Sequence, residues 1–426
     1  MNDVQKILEE LCRLRNFGSK LGLERMRSLM RELGNPQNAV PAIHIAGTNG
    51  KGSTAAMCEA LLREQGLKCG LYTSPHLLRL GERIQVNREI LSDEKIAAYV
   101  QEVYRAAKIF GKPGDRDFPS FFELMTAIAF LHFSRERCDV AVYECGLGGR
   151  LDATNILEPQ VATNVIISSI GFDHCDILGS TYAEIATEKA GIIKRGQKVF
   201  SGWLPVPAYT VIQDCCRSRG AFFEDVSSLK KTLPETNLFG EHQRHNAALA
   251  LAAVSSFCKK NVSAGALLKI DWQGRWQSMT LEDGQRLILD VAHNEECAKA
   301  LDAMLAQTDK KIVAIVGVLG IERARAILKI VSKYARKIIL VRPDQERACS
   351  QEELESCVPD DFKGTIKFSS LAEIFPKARK CIEQTDDGEI ILVAGSCYLV
   401  GEALAAVTGT PSFQVHLQDK IENLKK

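Results

Sequence analysis

The near-continuous apolar stretch CDVAVYEC (138–145) has no face to offer water if it is extended, and VATNVIISSI (161–170) repeats the pattern. Strands of this kind are covered on both faces, as in parallel sheets flanked by helices. The rest of the chain supplies those helices. From Pro41 onward, AIHIA (42–46) reads as a strand, 53–65 as a helix closed by Gly66, and KCGLYT (68–73) as the next strand, together one βαβ unit. Thr181 and Glu184 have capping-box spacing and open another helix. The stretch 199–240 is irregular and gives no clear elements. Near Gly284 the rhythm restarts, with strands at 286–292, 311–318, 337–341, 365–368 and 389–395. Helices at 295–307, 322–334, 350–358 and from Leu371 alternate with them. A chain of 426 residues exceeds one ordinary core. The expectation is therefore an α/β protein of two doubly wound domains, 1–282 and a smaller Rossmann-like 286–426, with EDGQ (282–285) as linker. Ligands of such sheets sit at the carboxyl ends of the strands, and two domains in sequence create a cleft between them.

Composition limits the partners. The 54 basic residues nearly cancel the 53 acidic ones, so no long-range field favours nucleic acid or an anionic membrane, and an anionic ligand needs a local site. The opening MNDVQKILEELCRL has the spacing of an amphipathic helix, not of a signal or transit segment, and no apolar run approaches the roughly 20 residues of a membrane span. Fourteen cysteines are scattered without a C-x-x-C pair, as expected of reduced, mostly buried thiols in a cytoplasmic protein. A monomer is expected.

The stretch IHIAGTNGKGSTAAM (43–57) departs from G-x-x-x-x-G-K-[ST] because Gly52 separates the lysine from the hydroxyl. Asn-Gly alone is an ordinary turn. This loop, however, leaves a buried strand and enters a helix, where free N–H groups and the helix dipole favour phosphate. Gly47, Gly50 and Gly52 allow close approach of an anion, Lys51 can reach the outer phosphates, and Ser53 is placed to ligate Mg²⁺.

A magnesium site also needs hard oxygen ligands from neighbouring strand ends. Glu144 ends one apolar strand, Ser74 another, and GFDHCDILG brings Asp173, His174 and Asp176 after a third. The plainer readings are an edge acid in solvent or paired with Arg150 for Glu144, and a loop-holding histidine for His174. Lys189 in TEKAGIIK reads from pattern as a surface helix lysine. Its ammonium could not ligate a metal, whereas a carbamylated amine could.

Taken together, these strings resemble the bacterial folylpolyglutamate synthase and dihydrofolate synthase group of the Mur ligase superfamily. The resemblance covers nearly the whole chain: LGLERM (21–26), HIAGTNGKGS (44–53), YTSPHL (72–77), FFELMTAIAF (121–130), YECGLGGRLDATN (143–155), SIGFDHCDILG (169–179), IATEKAGIIK (185–194), HQRHNAALAL (242–251), WQGR (272–275) and LDVAHN (289–294). It implies an ATP- and Mg²⁺-dependent ligase joining L-glutamate to dihydropteroate or folate. Thr48, Asn49, Gly50, Lys51 and Gly52 would hold the ATP phosphates, with Asn246, Arg275 and Asp290 contacting the nucleotide from the rim and second domain. Ser53, Ser74, Glu144 and His174 would hold magnesium, and a carbamylated Lys189 would serve a second ion. The substrate would lie near Ser19, Lys20, Leu21 and Gly22, near Ser120, Phe121 and Phe122, near Leu151, Asp152 and Ala153, and by His293. Lys51, Glu144, His174 and Lys189 form the implied catalytic set.

The implied reaction activates the acceptor carboxylate as an acyl phosphate, which the amine of glutamate then attacks, releasing ADP and phosphate. Two departures from the family pattern fall in the second domain. DVAHNE carries Val291 and Glu295 where glycine and proline are usual, and GVLGIERARA places Ile321, Glu322 and Arg323 where an Asp-Lys-Asp group is usual. Asn294 has the character of a helix cap followed by acids. Two other readings stand beside the folate ligase: a Mur-type ligase with another acyl substrate, and a nucleotide-dependent switch that hydrolyses ATP without joining anything.

Overall fold

The computed structural model describes residues 3–14, 22–228, 232–308, 310–386 and 388–410. Ser19, Lys20 and Leu21 of the substrate expectation lie outside the described residues. The first eight strands in chain order are β1 (Ala42–Ala46), β2 (Cys69–Tyr72), β3 (Ile84–Val86), β4 (Glu89–Ile90), β5 (Val140–Glu144), β6 (Ala162–Ile167), β7 (Lys198–Ser201) and β8 (Phe222–Asp225). They form one sheet in the order β4-β3-β2-β5-β1-β6-β7-β8. The six strands from β2 to β8 in that order run parallel, and β3 and β4 add an antiparallel edge. Every residue of β1 and β5 is buried, as their unbroken apolar sequences require.

Helix Lys51–Glu64 follows β1 and is buried from Gly52 to Leu62, pressed between the sheet and helix Glu241–Cys258. Its apolar residues therefore surround it and do not form a stripe. On the opposite face, helix Phe121–Arg135 packs Leu124, Ile128 and Phe130 into a second core layer. The irregular stretch 199–240 holds a further strand–helix–strand passage. Its elements escape the sequence because helix Val206–Arg219 buries only Ala208, Ile212 and Cys216, and the edge strand β8 alternates exposed and half-buried residues.

The second sheet comprises β9 (Gln277–Thr280), β10 (Arg286–Asp290), β11 (Ile312–Val316), β12 (Ala335–Leu340), β13 (Thr365–Phe368) and β14 (Ile390–Ala394), in the order β13-β12-β11-β14-β10-β9. Five strands are parallel, as expected, and β9 is antiparallel to β10. This corrects the linker. The segment 282–285 is the turn of the β9–β10 hairpin, closed by Leu281 N–H to Gln285 O at 2.9 Å. Asp283-Gly284, with Gly284 at φ 84°, is a hairpin signal, and its polar neighbours Glu282 and Gln285 give it the composition of a linker as well. The chain leaves the first half earlier, between Trp272, which still packs on the first core, and β9.

Among the described residues no helix is long and apolar enough to cross a membrane. All fourteen cysteines are free thiols, and Cys175 alone is exposed.

Candidate active site

The strand order lines the chemistry up along one carboxyl edge. Reading across β2, β5, β1 and β6, the strand ends lead to Ser74, Glu144, the loop from Gly47 and the segment Ser168–His174. Ile45 and Glu144 are register partners, so the acid stands beside the start of the loop.

The loop is held from the β6 side. Thr48 N–H donates to Ser169 O at 2.8 Å, and Asn49 N–H to Ser169 Oγ at 2.9 Å. The Ser168 hydroxyl donates to Asn49 O at 2.7 Å. These two serines escaped the sequence reading, since nothing local marks them as loop holders. Lys51 Nζ folds back onto Thr48 O at 3.0 Å. Gly50 caps the helix at φ 79°, and a Cβ there would lie 2.5 Å from Asn246 Oδ1, which places Asn246 against the loop. A Cβ on Gly52 would stand 3.0 Å from the Trp272 ring and 3.4 Å from Glu144 Oε2. The additional glycine thus makes room chiefly for the Trp272 ring, with the acid in ordinary contact beside the first helical turn.

Glu144 is 4% exposed and accepts the Ser74 N–H at 3.1 Å. Arg150 pairs with Glu188 at 2.9 Å, so both plainer readings of Glu144 fall. Burial pushes its carboxyl up, opposed by Lys51, the Ser74 amide, Arg275 and Arg83. Ser53 is 1% exposed and its Oγ has no hydrogen-bond partner in the structure. A buried hydroxyl without a partner is costly, and a cation beside Glu144 would satisfy it. Among the described residues no three His, Cys, Asp or Glu side chains gather as a metal site. The donors on offer are instead hydroxyls, one carboxylate and whatever oxygens a ligand brings.

Lys189 overturns its surface reading. It is 3% exposed, and Nζ donates to Gly47 O at 2.8 Å, tying helix Tyr182–Ala190 to the phosphate loop. Burial, aided by Lys51, lowers its amine to about 7. His174 takes a left-handed conformation, φ 50°, at the cap of a short helix, and burial lowers its imidazole to about 4. It is neutral at pH 7, with a lone pair to offer.

The second sheet contributes Asp290, whose carboxylate accepts Trp276 N–H at 2.8 Å and Ala292 N–H at 2.9 Å. Burial raises it and Arg275 opposes that rise, so Arg275 lies near enough to act on both Asp290 and Glu144. Asn294 caps helix Glu295–Ala306 by accepting Cys297 N–H at 3.0 Å, as its sequence character implied. The same amide donates to Asn49 Oδ1 at 2.9 Å and to Asp173 Oδ2 at 3.2 Å. Asp173 also receives Arg323 and lies 3.4 Å from His293 Nε2. His293, expected at the substrate, is turned to this acid and to Val291 O at 2.9 Å.

Burial would raise the Asp173 carboxyl, but His293, His174 and Arg323 hold it well below the usual carboxylate range. A depressed folded-state value gives stability that is present above the unfolded pKa and is lost as pH falls below about 4. Arg323→Met is expected to destabilise the fold by about 1–3 kcal/mol at pH 7. The difference should hold from pH 7 down to about pH 4 and shrink only below that in urea titrations; equal midpoints for variant and wild type at pH 7 would refute this role.

A cavity of about 1430 Å³ opens over these groups and between the two sheets. Gly22, Ser120, Phe122, Leu151 and Ala153 line it beside Ser74 and His174, so the substrate expectations converge on one wall. Phe121 is 1% exposed with the Arg83 guanidinium 5.1 Å from its ring centroid. The Ser120 hydroxyl caps helix Phe121–Arg135. Asp152 lines the same cavity, and its carboxylate accepts from Gly146, Leu147 and Thr154 N–H and from the Thr154 hydroxyl. Saturated in this way, it shapes the loop 146–154.

Comparison with known proteins bears on the same residues. Residues 45–200 match the Mur ligase middle domain, and residues 274–397 match the Mur ligase glutamate ligase domain. The dihydrofolate synthase/folylpolyglutamate synthase of Bacillus subtilis is 33% identical over 91% of this chain and 95% of its own. The chain belongs to the folylpolyglutamate synthase/dihydrofolate synthase family of Mur ligases. Solved structures of the family superpose over nearly the full length. The folylpolyglutamate synthase of Mycobacterium tuberculosis, complexed with ADP, has TM-score 0.82 at 28% identity, covering 95% of this chain and 99% of that one. The bifunctional synthase of Yersinia pestis, complexed with AMPPNP and Mn ion, has TM-score 0.81 at 28% identity, covering 96% and 98%. Family membership gives the glycine-spaced loop and the cleft their context.

Proposed function

We propose that the chain is an ATP- and Mg²⁺-dependent ligase that joins L-glutamate to the carboxylate of dihydropteroate, of a folate, or of both. The phosphate loop with Ser53 and Glu144 at adjacent strand ends beneath the cleft, and Lys189 reaching the same loop from its helix, carry this reading. Thr48 to Gly52 would cradle the phosphates, with Asn246 beneath the loop and Arg275 and Asp290 at the nucleotide's rim. Lys51, released from Thr48 O, would offset charge on the transferring phosphoryl group. Ser53, Ser74, Glu144, His174 and a carbamylated Lys189 would hold Mg²⁺, which supplies further charge neutralisation between the phosphates when bound. The lowered Lys189 amine supports carbamylation, because only a neutral amine adds CO₂. The acceptor carboxylate then attacks the γ-phosphate, and the glutamate amine displaces phosphate from the acyl phosphate. The second half closes over the cleft and keeps water from that reactive species.

Fourteen free thiols support a cytoplasmic setting, the balanced charge argues against nucleic acid or membrane partners, and a monomer is proposed. Purified protein with ATP, Mg²⁺ and glutamate is expected to add one glutamyl mass to dihydropteroate, to a reduced folate, or to both. ADP formed without either acceptor gaining mass would instead favour the switch reading.

A further inference from the structure

Helix Ile321–Tyr334 carries four cations, Arg323, Arg325, Lys329 and Lys333, against the single acid Glu322, in a chain whose net charge is +1. Arg323 is spent on Asp173. Arg325, Lys329 and Lys333 follow one another at four-residue intervals, so they form a row along one helix face, about 6 Å from one to the next. All three line the cavity that also contains Ser74, Asp173 and His174. Their existing partners are weak holds. Arg325 meets Glu322 at 3.0 Å with both side chains largely exposed, and Lys333 meets Asp302 at 2.8 Å at about half exposure. Exposed pairs of this kind exchange readily for another carboxylate.

The reaction creates a ligand with matching form. Each glutamate joined through its side-chain carboxyl leaves one free α-carboxylate. Successive units are then separated by five bonds, roughly 6 Å when extended. The new unit joins the free end, so that end must remain at the phosphate loop while earlier units are displaced into the cleft. We propose that Arg325, Lys329 and Lys333 bind the α-carboxylates of a γ-glutamyl tail, making this chain selective for acceptors that are already extended. This rests on the ligase reading and assigns to it a tail-binding face and a preference among its acceptors.

The test compares KM for a folate carrying one glutamyl unit with KM for one carrying four, in wild type and in R325Q/K329Q/K333Q. Wild type is expected to show a KM for the long acceptor lower by about tenfold. The triple variant should lose most of that difference while keeping its kcat/KM for the short acceptor within about twofold, which also reports an intact fold. Raising salt should erode the long-tail advantage in wild type in the same way. K329Q alone, at the middle of the row, should give an intermediate loss. Equal discrimination by wild type and triple variant, or no discrimination by wild type, would overturn the proposal. A rise in the KM for glutamate with both acceptors alike would also overturn it, assigning the face to the incoming amino acid. Failure of wild type to extend either acceptor would instead remove the ligase reading itself.

Discussion

Glu144→Gln is expected to lower product formation by about three orders of magnitude while leaving the fold intact. The carboxylate stands buried at the end of β5, accepting the Ser74 N–H, with the Gly52 backbone beside it. A neutral amide keeps the shape and the acceptor oxygen but removes the charge that would hold Mg²⁺. Burial raises the wild-type carboxyl, so the folded state binds its proton more tightly than the unfolded state does. That component of stability falls as pH rises above the ordinary carboxylate range, about 4.3. The Gln variant lacks it, and should melt no lower than wild type at pH 7. Its rise in melting temperature with Mg²⁺-ATP should be largely lost. Near-normal turnover by this variant would remove Glu144 from the reaction.

Lys189→Ala is expected to reduce turnover by about two to three orders of magnitude, with partial recovery on adding a short carboxylic acid. The shortened side chain vacates the space of the amine beneath Gly47 O, and a small carboxylate placed there would restore the anion a carbamate provides. A turnover loss that no small acid relieves would leave Lys189 as a holder of the loop only. A stability measurement in CO₂-free buffer reports the free amine on its own. The amine lies near 7 in the fold, against about 10.4 when solvated, so the unfolded state binds more protons between those values. Wild-type stability should therefore rise with pH across that window, and Lys189→Met should remove this rise.

How legible the molecule was depended on how local the cause was. Strands β5 and β6 were visible because burial on both faces is written into consecutive residues. The capping box of Thr181 and Glu184 was visible for the same reason, and Thr181 does accept Glu184 N–H at 3.2 Å. Lys189 was misread because its partner carbonyl lies 142 residues away, and TEKAGIIK has no means of showing it. The inverted charge at Arg323 was noticed, but its meaning depends on Asp173, 150 residues distant. The hairpin turn 282–285 failed differently: polar Gly-containing turns join strands of one sheet as readily as they join domains.

The exposed thiol of Cys175 has a practical consequence. It follows His174 directly and lines the cavity, while the other thirteen cysteines are buried or half-buried. Burial and the Asp173 charge raise its pKa, so it reacts slowly, but it is the most accessible thiol in the native chain. A maleimide offered to the folded protein should therefore mark this one position at the mouth of the cleft. The rate of that labelling would follow the filling of the cleft without any engineered reporter.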